Sequence, residues 1–295
     1  MSLKINSTIG VCGGKLLKLS HKSQCTGTDM DVNLYLPKQY YSSKEGSKLI
    51  PSILYLSGLT CTPQNASEKA FWQIQADKYG FAVIFPDTSP RGDDVDTDPE
   101  ESWDFGLGAG FYLNATEKPY STHYHMYDYV HKELPEVLSK EFGSKVDFFD
   151  NISITGHSMG GYGALSGFLK NINRYKSCSA FAPIVNPSVV PWGQKAFKGY
   201  LGAENKDAWA QYDPAELVKK VENTSGKKIL IHVGSNDPFL EKQLKPELLL
   251  DAAKNTSWEE KIELNIVDGF DHSYYFISTF VPTHAEFHAK YLGLI

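Results

Sequence analysis

Apolar and polar positions fall into short blocks along the chain, and the blocks alternate in kind. SILYLSG (52–58), FAVIFPD (81–87), ISITG (152–156), CSAFAPIV (178–185), KILIHVG (228–234) and IELNIVDG (262–269) are nearly continuous apolar runs bounded by turn residues. Runs of that length read as strands covered on both faces. Between them lie helical patterns at 67–80, 127–143, 160–171, 245–255 and 280–292. Pro135 is expected to kink the second of these, since it lacks the N–H that a helix interior needs. Upstream, KLLKLSHKS (15–23) and MDVNLYLP (30–37) predict an antiparallel opening pair, which brings the total to about eight strands. Strand–helix alternation predicts an α/β fold with a mostly parallel central sheet and helices on both faces. With no internal repeat and no Pro/Gly/Ser linker, residues 1–295 read as a single domain. The stretch 186–226 breaks the alternation and reads as a small cap-like excursion over the sheet edge.

Charge and composition narrow the partners. Lys and Arg number 29 against 35 Asp and Glu, a formal net charge of −6, and the lysines are scattered. A nucleic-acid surface would need a clustered basic face, so that class is excluded. No apolar run approaches a membrane span, and MSLKINSTIGVCGGKLLKLS lacks the continuous apolar core of a secretory signal. Cys12, Cys25, Cys61 and Cys178 are far apart, with no CxxC spacing. That usage fits reduced thiols and a cytoplasmic location.

The chemistry concentrates in ITGHSMGGYGAL (154–165). Gly156-His157-Ser158-Met159-Gly160 is G-x-S-x-G between a predicted strand and a predicted helix, the context of a nucleophile elbow. A serine hydroxyl needs a base, itself oriented by a carboxylate. Asp237 follows KILIHVG and His272 follows IELNIVDG, so both fall past the C-terminal ends of successive strands, on the same sheet edge as Ser158. Serine, acid, histidine is the order of an α/β-hydrolase fold. Asp268 and Asp271, close to His272, read as turn residues, His232 as a packed strand histidine, and His157 as packing for the elbow. A developing oxyanion needs backbone donors: Met159, after the nucleophile, supplies one, and Leu59 in SGLTCT (57–62) is the natural second.

Two patterns suggest metal and fall short. His284 and His288 stand four apart, but H-A-E-F-H is not H-E-x-x-H, and the pair reads as decoration of an amphipathic helix. The acidic run DDVDTDPEE (93–101) has Pro99 where a calcium loop needs glycine.

LSGLTCT (56–62), PDTSPRG (86–92), SWDFGLGAGFYLNAT (102–116), ITGHSMGGYGAL, GSNDPFL (234–240) and DHSYYFI (271–277) together resemble the S-formylglutathione hydrolase (esterase D) family, over nearly the whole chain. The resemblance implies an α/β-hydrolase fold and a serine thioesterase that cleaves S-formylglutathione to formate and glutathione in formaldehyde detoxification. It implies no metal, no cofactor and a homodimer. The family triad falls on Ser158, Asp237 and His272. A broad carboxylesterase or an acyltransferase would share that triad. The family's sensitivity to thiol reagents points to Cys61, beside the oxyanion loop. Glutathione carries two carboxylates, for which Lys195 and Lys198, beside Trp192, are candidate contacts.

Overall fold

The apolar blocks form the sheet that their pattern predicts. In the computed structural model, residues 2–44, 46–222 and 224–295 are described; residues 1, 45 and 223, the last within the 186–226 segment, lie outside the described residues. Among the described residues nine strands make one sheet: β1 (Lys4–Val11), β2 (Gly14–Lys22), β3 (Asp29–Leu36), β4 (Ser52–Leu56), β5 (Ala82–Pro86), β6 (Ile152–Gly156), β7 (Tyr175–Phe181), β8 (Ile229–Gly234) and β9 (Ile262–Val267). Their order is β1-β2-β3-β5-β4-β6-β7-β8-β9. Pairing is antiparallel from β1 through β5 and parallel from β5 through β9. Every residue of β4, β5, β6 and β8 is buried, as strands covered on both faces must be.

The ninth strand, β1, is the one that the pattern does not predict. No side chain of KINSTIGV is fully buried, so it carries no hydrophobic block, and the strand is held by backbone pairing to β2.

The helices depart from expectation in three places. Residues 67–80 are not one helix but the end of α1 (Pro63–Lys69) and α2 (Trp72–Tyr79), with the chain turning at Phe71, which adopts a left-handed φ of 60°. Ahead of Pro135 the chain widens into a π-helical turn over Tyr129–Glu133 before α3 (Leu134–Phe142), and the ladder absorbs the missing N–H there. The helix that follows Ser158, α4 (Met159–Lys170), matches its pattern. The 186–226 segment is mostly helical: α5 (Pro191–Leu201) buries Trp192, Phe197 and Tyr200, and the Tyr200 hydroxyl donates to the Ala109 carbonyl at 2.8 Å. After α6 (Glu247–Ala253) comes α7 (Tyr274–Tyr291), which begins six residues before the predicted start at 280. The Ser273 side chain caps it by accepting from the Tyr275 amide, and Pro282 lies inside it, not in its first turn.

The strand order decides where a site can form. After β4 the chain places β5 on one side and β6 on the other, so the loops leaving β4 and β6 diverge at the C-terminal edge of the sheet. That topological switch point is where open α/β sheets bind ligands.

Candidate active site

Ser158 sits between β6 and α4 with φ 57° and ψ −118°, outside the conformations a serine ordinarily adopts. Backbone strain of this kind persists only where the surroundings enforce it. Here the Ser158 amide donates to the Phe181 carbonyl at 2.9 Å, and its own carbonyl accepts from Tyr162 at 2.9 Å. The glycines of G-x-S-x-G explain themselves: a Cβ on Gly156 would strike the Gly160 carbonyl, and one on Gly160 would strike the Leu56 carbonyl. Strand, turn and helix pass too close for any side chain.

Two loops on the neighbouring strands converge in the same way. Gly234 ends β8, and a Cβ there would strike the Phe270 carbonyl of the loop after β9. That contact draws Asp237 to His272: Asp237 Oδ2 lies 2.5 Å from His272 Nδ1, while Asp237 Oδ1 accepts the Phe239 amide at 2.8 Å. The Asp237 side chain is fully buried and the His272 side chain is 17% exposed, so only the imidazole reaches the surface. Its ring lies between His157, 4.4 Å away, and Phe239, 4.9 Å away and edge-on. Asp268 and Asp271 face elsewhere, toward Ser235 and Ser273 respectively. Ser158 and His272 line a single cavity of about 170 Å³.

The loop after β4 forms the opposite lip. Gly58 approaches Ser158 so closely that a Cβ would lie 3.2 Å from the serine Cβ. Among the described residues neither the Leu59 nor the Met159 amide donates to a protein acceptor. The loop around Leu59 is braced on each side. The Tyr112 hydroxyl donates to the Ser57 carbonyl at 2.8 Å, and the Thr60 amide donates to the Gly108 carbonyl at 2.8 Å. The Cys61 carbonyl accepts from Thr88 Oγ1 at 2.5 Å and from Arg91 Nη2 at 3.2 Å. Arg91 is itself fixed by a two-pronged pair to Asp87, at 2.7 and 2.9 Å. Sequence reasoning found the segments PDTSPRG and SWDFGLGAGFYLNAT but not this work of theirs, because the signal lies in contacts between segments.

The cavity walls are aromatic: Trp103 packs edge-on against Trp192 at 5.5 Å, and Trp192 packs at a tilt against Phe239 at 4.6 Å. Cys61 also lines the cavity; its sulfur is 3.9 Å from the Tyr274 hydroxyl, and burial pushes its thiol pKa up. Of the three candidate substrate contacts only Trp192 lines the cavity. Lys195 is held by Asp98 at 3.0 Å and Asp104 at 2.7 Å, and Lys198 is exposed outside it.

Burial, with the nearby His272 adding to it, drives the His157 pKa well down, so a neutral ring packs beside His272. His284 and His288 do not decorate a surface: both are fully buried. His288 bridges Ser177 and Ser179 at 2.8 Å each, and His284 joins Ser179 at 2.8 Å to His232 at 3.0 Å. The spacing of four sends both rings down one helix face, into the hydroxyl-rich side of β7. Among the described residues no group of three or more His, Cys, Asp or Glu side chains is arranged to hold a metal ion.

A mostly parallel sheet whose C-terminal edge carries a strained serine at a strand–helix turn, with a buried aspartate paired to a histidine in the same cavity, defines an α/β-hydrolase. Comparison with known proteins agrees. The Esterase family model matches residues 23–287. The chain is 65% identical to S-formylglutathione hydrolase of Saccharomyces cerevisiae over 300 aligned residues, covering 99% of this chain and all of that protein. It is 46% identical to S-formylglutathione hydrolase of Arabidopsis thaliana, with 94% and 93% covered. The solved structure of an S-formylglutathione hydrolase from Agrobacterium tumefaciens superposes with a TM-score of 0.90 at 43% identity, covering 99% of this chain and all of that one. The chain belongs to the S-formylglutathione hydrolase family of esterases.

Proposed function

We propose that this protein hydrolyses S-formylglutathione to formate and glutathione through an acyl-serine intermediate. The observation that carries the reading is the buried Asp237–His272 pair opening onto the cavity that holds Ser158. His272 takes the Ser158 proton as the hydroxyl attacks the formyl carbonyl, and Asp237 fixes the imidazole tautomer and stabilises the imidazolium. The Leu59 and Met159 amides receive the oxyanion, at the N-terminus of α4, whose dipole favours negative charge there. The imidazolium passes that proton to the departing sulfur, so glutathione leaves as the thiol and His272 is again a neutral base. A free thiol has a pKa of about 8.5, so this step needs less assistance than expulsion of an amine. Water activated by His272 attacks the formyl-serine, releases formate and returns the proton to the serine.

The aromatic cavity of about 170 Å³ suits a one-carbon acyl group beside a sulfur leaving group. Four free cysteines, Cys12, Cys25, Cys61 and Cys178, support a cytoplasmic setting, and among the described residues no helix is long and apolar enough to cross a membrane. Homodimer assembly rests on the family resemblance alone.

The test compares kcat/KM on S-formylglutathione with S-acetylglutathione and a short-chain aryl ester. A formyl thioester preference of several decades is expected. Equal rates on all three would replace this reading with a broad carboxylesterase or acyltransferase.

A further inference from the structure

Two grooves each share a wall residue with the catalytic cavity, and they differ in charge. Trp103 is shared with a groove of about 270 Å³ whose walls include Asp98 and Glu101. Lys195, which reaches Asp98 on that side, is already taken by Asp98 and Asp104. Tyr274 is shared with a larger groove of about 470 Å³, walled by Glu68, Lys69, Phe71, Tyr275 and Ser278. Glu68 there is met by Lys18 at 3.4 Å. Lys69 is exposed and, among the described residues, has no carboxylate partner; its Nζ lies 6.0 Å from the centre of the Tyr274 ring. Two aromatic side chains stand out at the rim: Phe71 is 55% and Tyr275 85% exposed. Phe71 is also held in the left-handed region, a cost that non-glycine residues seldom bear without a reason.

Resting on the proposed function, we infer that the Lys69–Phe71–Tyr275 groove seats the peptide of the glutathione leaving group, with Lys69 pairing to one of its carboxylates. A tripeptide thioester whose sulfur sits in the catalytic cavity must extend beyond it, and these two grooves each share a wall with that cavity. The Asp98/Glu101 side repels its two carboxylates, and the Lys69 side attracts them. Phe71 and Tyr275 give the peptide backbone flat apolar surfaces to lie on, and Tyr274 forms the wall between acyl site and peptide site. A free cation beside exposed aromatics is the chemistry that a short anionic peptide requires.

The test uses the full chain and three substrates. Wild-type preference for S-formylglutathione over an aryl ester is measured first; its absence would sink the proposed function and not this groove. Given that preference, Lys69→Glu is expected to raise KM for S-formylglutathione at least tenfold with kcat within about threefold, and Lys69→Arg to restore it. On S-formylglutathione with both carboxylates esterified, the KM penalty of Lys69→Glu should shrink to within twofold. An unchanged KM for S-formylglutathione in Lys69→Glu, or an equal rise for the diester, would overturn the inference.

Discussion

Asp237 offers one carboxylate oxygen to His272 Nδ1 at 2.5 Å and the other to the Phe239 amide at 2.8 Å. With both oxygens engaged and the side chain fully buried, the carboxylate cannot rotate away, and the imidazole it holds has one orientation available. Phe239 serves twice, since its ring also packs edge-on against that imidazole.

Removing the proposed nucleophile should leave the fold and abolish turnover. Ser158→Ala is expected to lower kcat by roughly 10⁴–10⁶-fold, and Asp237→Asn, which favours the wrong tautomer, by roughly 10²–10⁴-fold. Steady-state kinetics with circular dichroism on the same samples checks both. Turnover of Ser158→Ala near the wild-type level would remove Ser158 from the mechanism.

Arg91 acts at a distance from the chemistry. It grips the Cys61 carbonyl, two residues beyond the Leu59 amide, and is anchored by Asp87. Arg91→Met should let that loop wander and lower kcat by roughly 10–100-fold, while KM moves less than threefold, since a displaced oxyanion donor weakens the transition state more than the ground state. A KM-only effect would place Arg91 in substrate binding instead.

Stability should fall in acid earlier than carboxylate protonation alone would cause. Burial holds His288 neutral with its pKa lowered to about 3; burial, helped by Arg174 and Lys170, does the same for His131, also to about 3. In the unfolded chain both return to about 6.5, so between pH 6.5 and 3 the unfolded state binds more protons. Stability is therefore complete above 6.5 and drains as pH falls, by roughly 1.4 kcal/mol per pH unit for each ring. Urea unfolding at pH 7.0, 5.5 and 4.5 should show that slope, and His288→Gln should reduce it. A flat free energy over this range would contradict the buried neutral assignment.

Cys61 lines the cavity, so an alkyl group on its sulfur would occupy space the substrate needs. Wild-type protein should lose activity to N-ethylmaleimide, and Cys61→Ser should resist it. Because burial raises the thiol pKa, inactivation should accelerate as pH rises above neutral. Equal sensitivity in Cys61→Ser would assign the effect to Cys12 or Cys25.

The sequence determined the parts whose signal is local. Buried strands announce themselves by continuous apolar runs such as SILYL and ILIHVG. The elbow announces itself by the glycines that close packing demands at 156 and 160. Once strand ends are known, the loops carrying Asp237 and His272 follow, because parallel strands deliver their C-terminal loops to one edge. What the sequence could not supply depended on contacts between distant segments. β1 exists through backbone pairing that no hydrophobic pattern encodes. His284 and His288 at helical spacing could face solvent or core, and only the serines of β7 beneath them decided for the core. Lys195, a plausible anion contact in sequence, is neutralised by Asp98 and Asp104, which lie some ninety residues earlier in the chain. Local pattern fixes which face is buried and where the backbone must turn; which charge is free and which loop is braced are properties of the assembled fold.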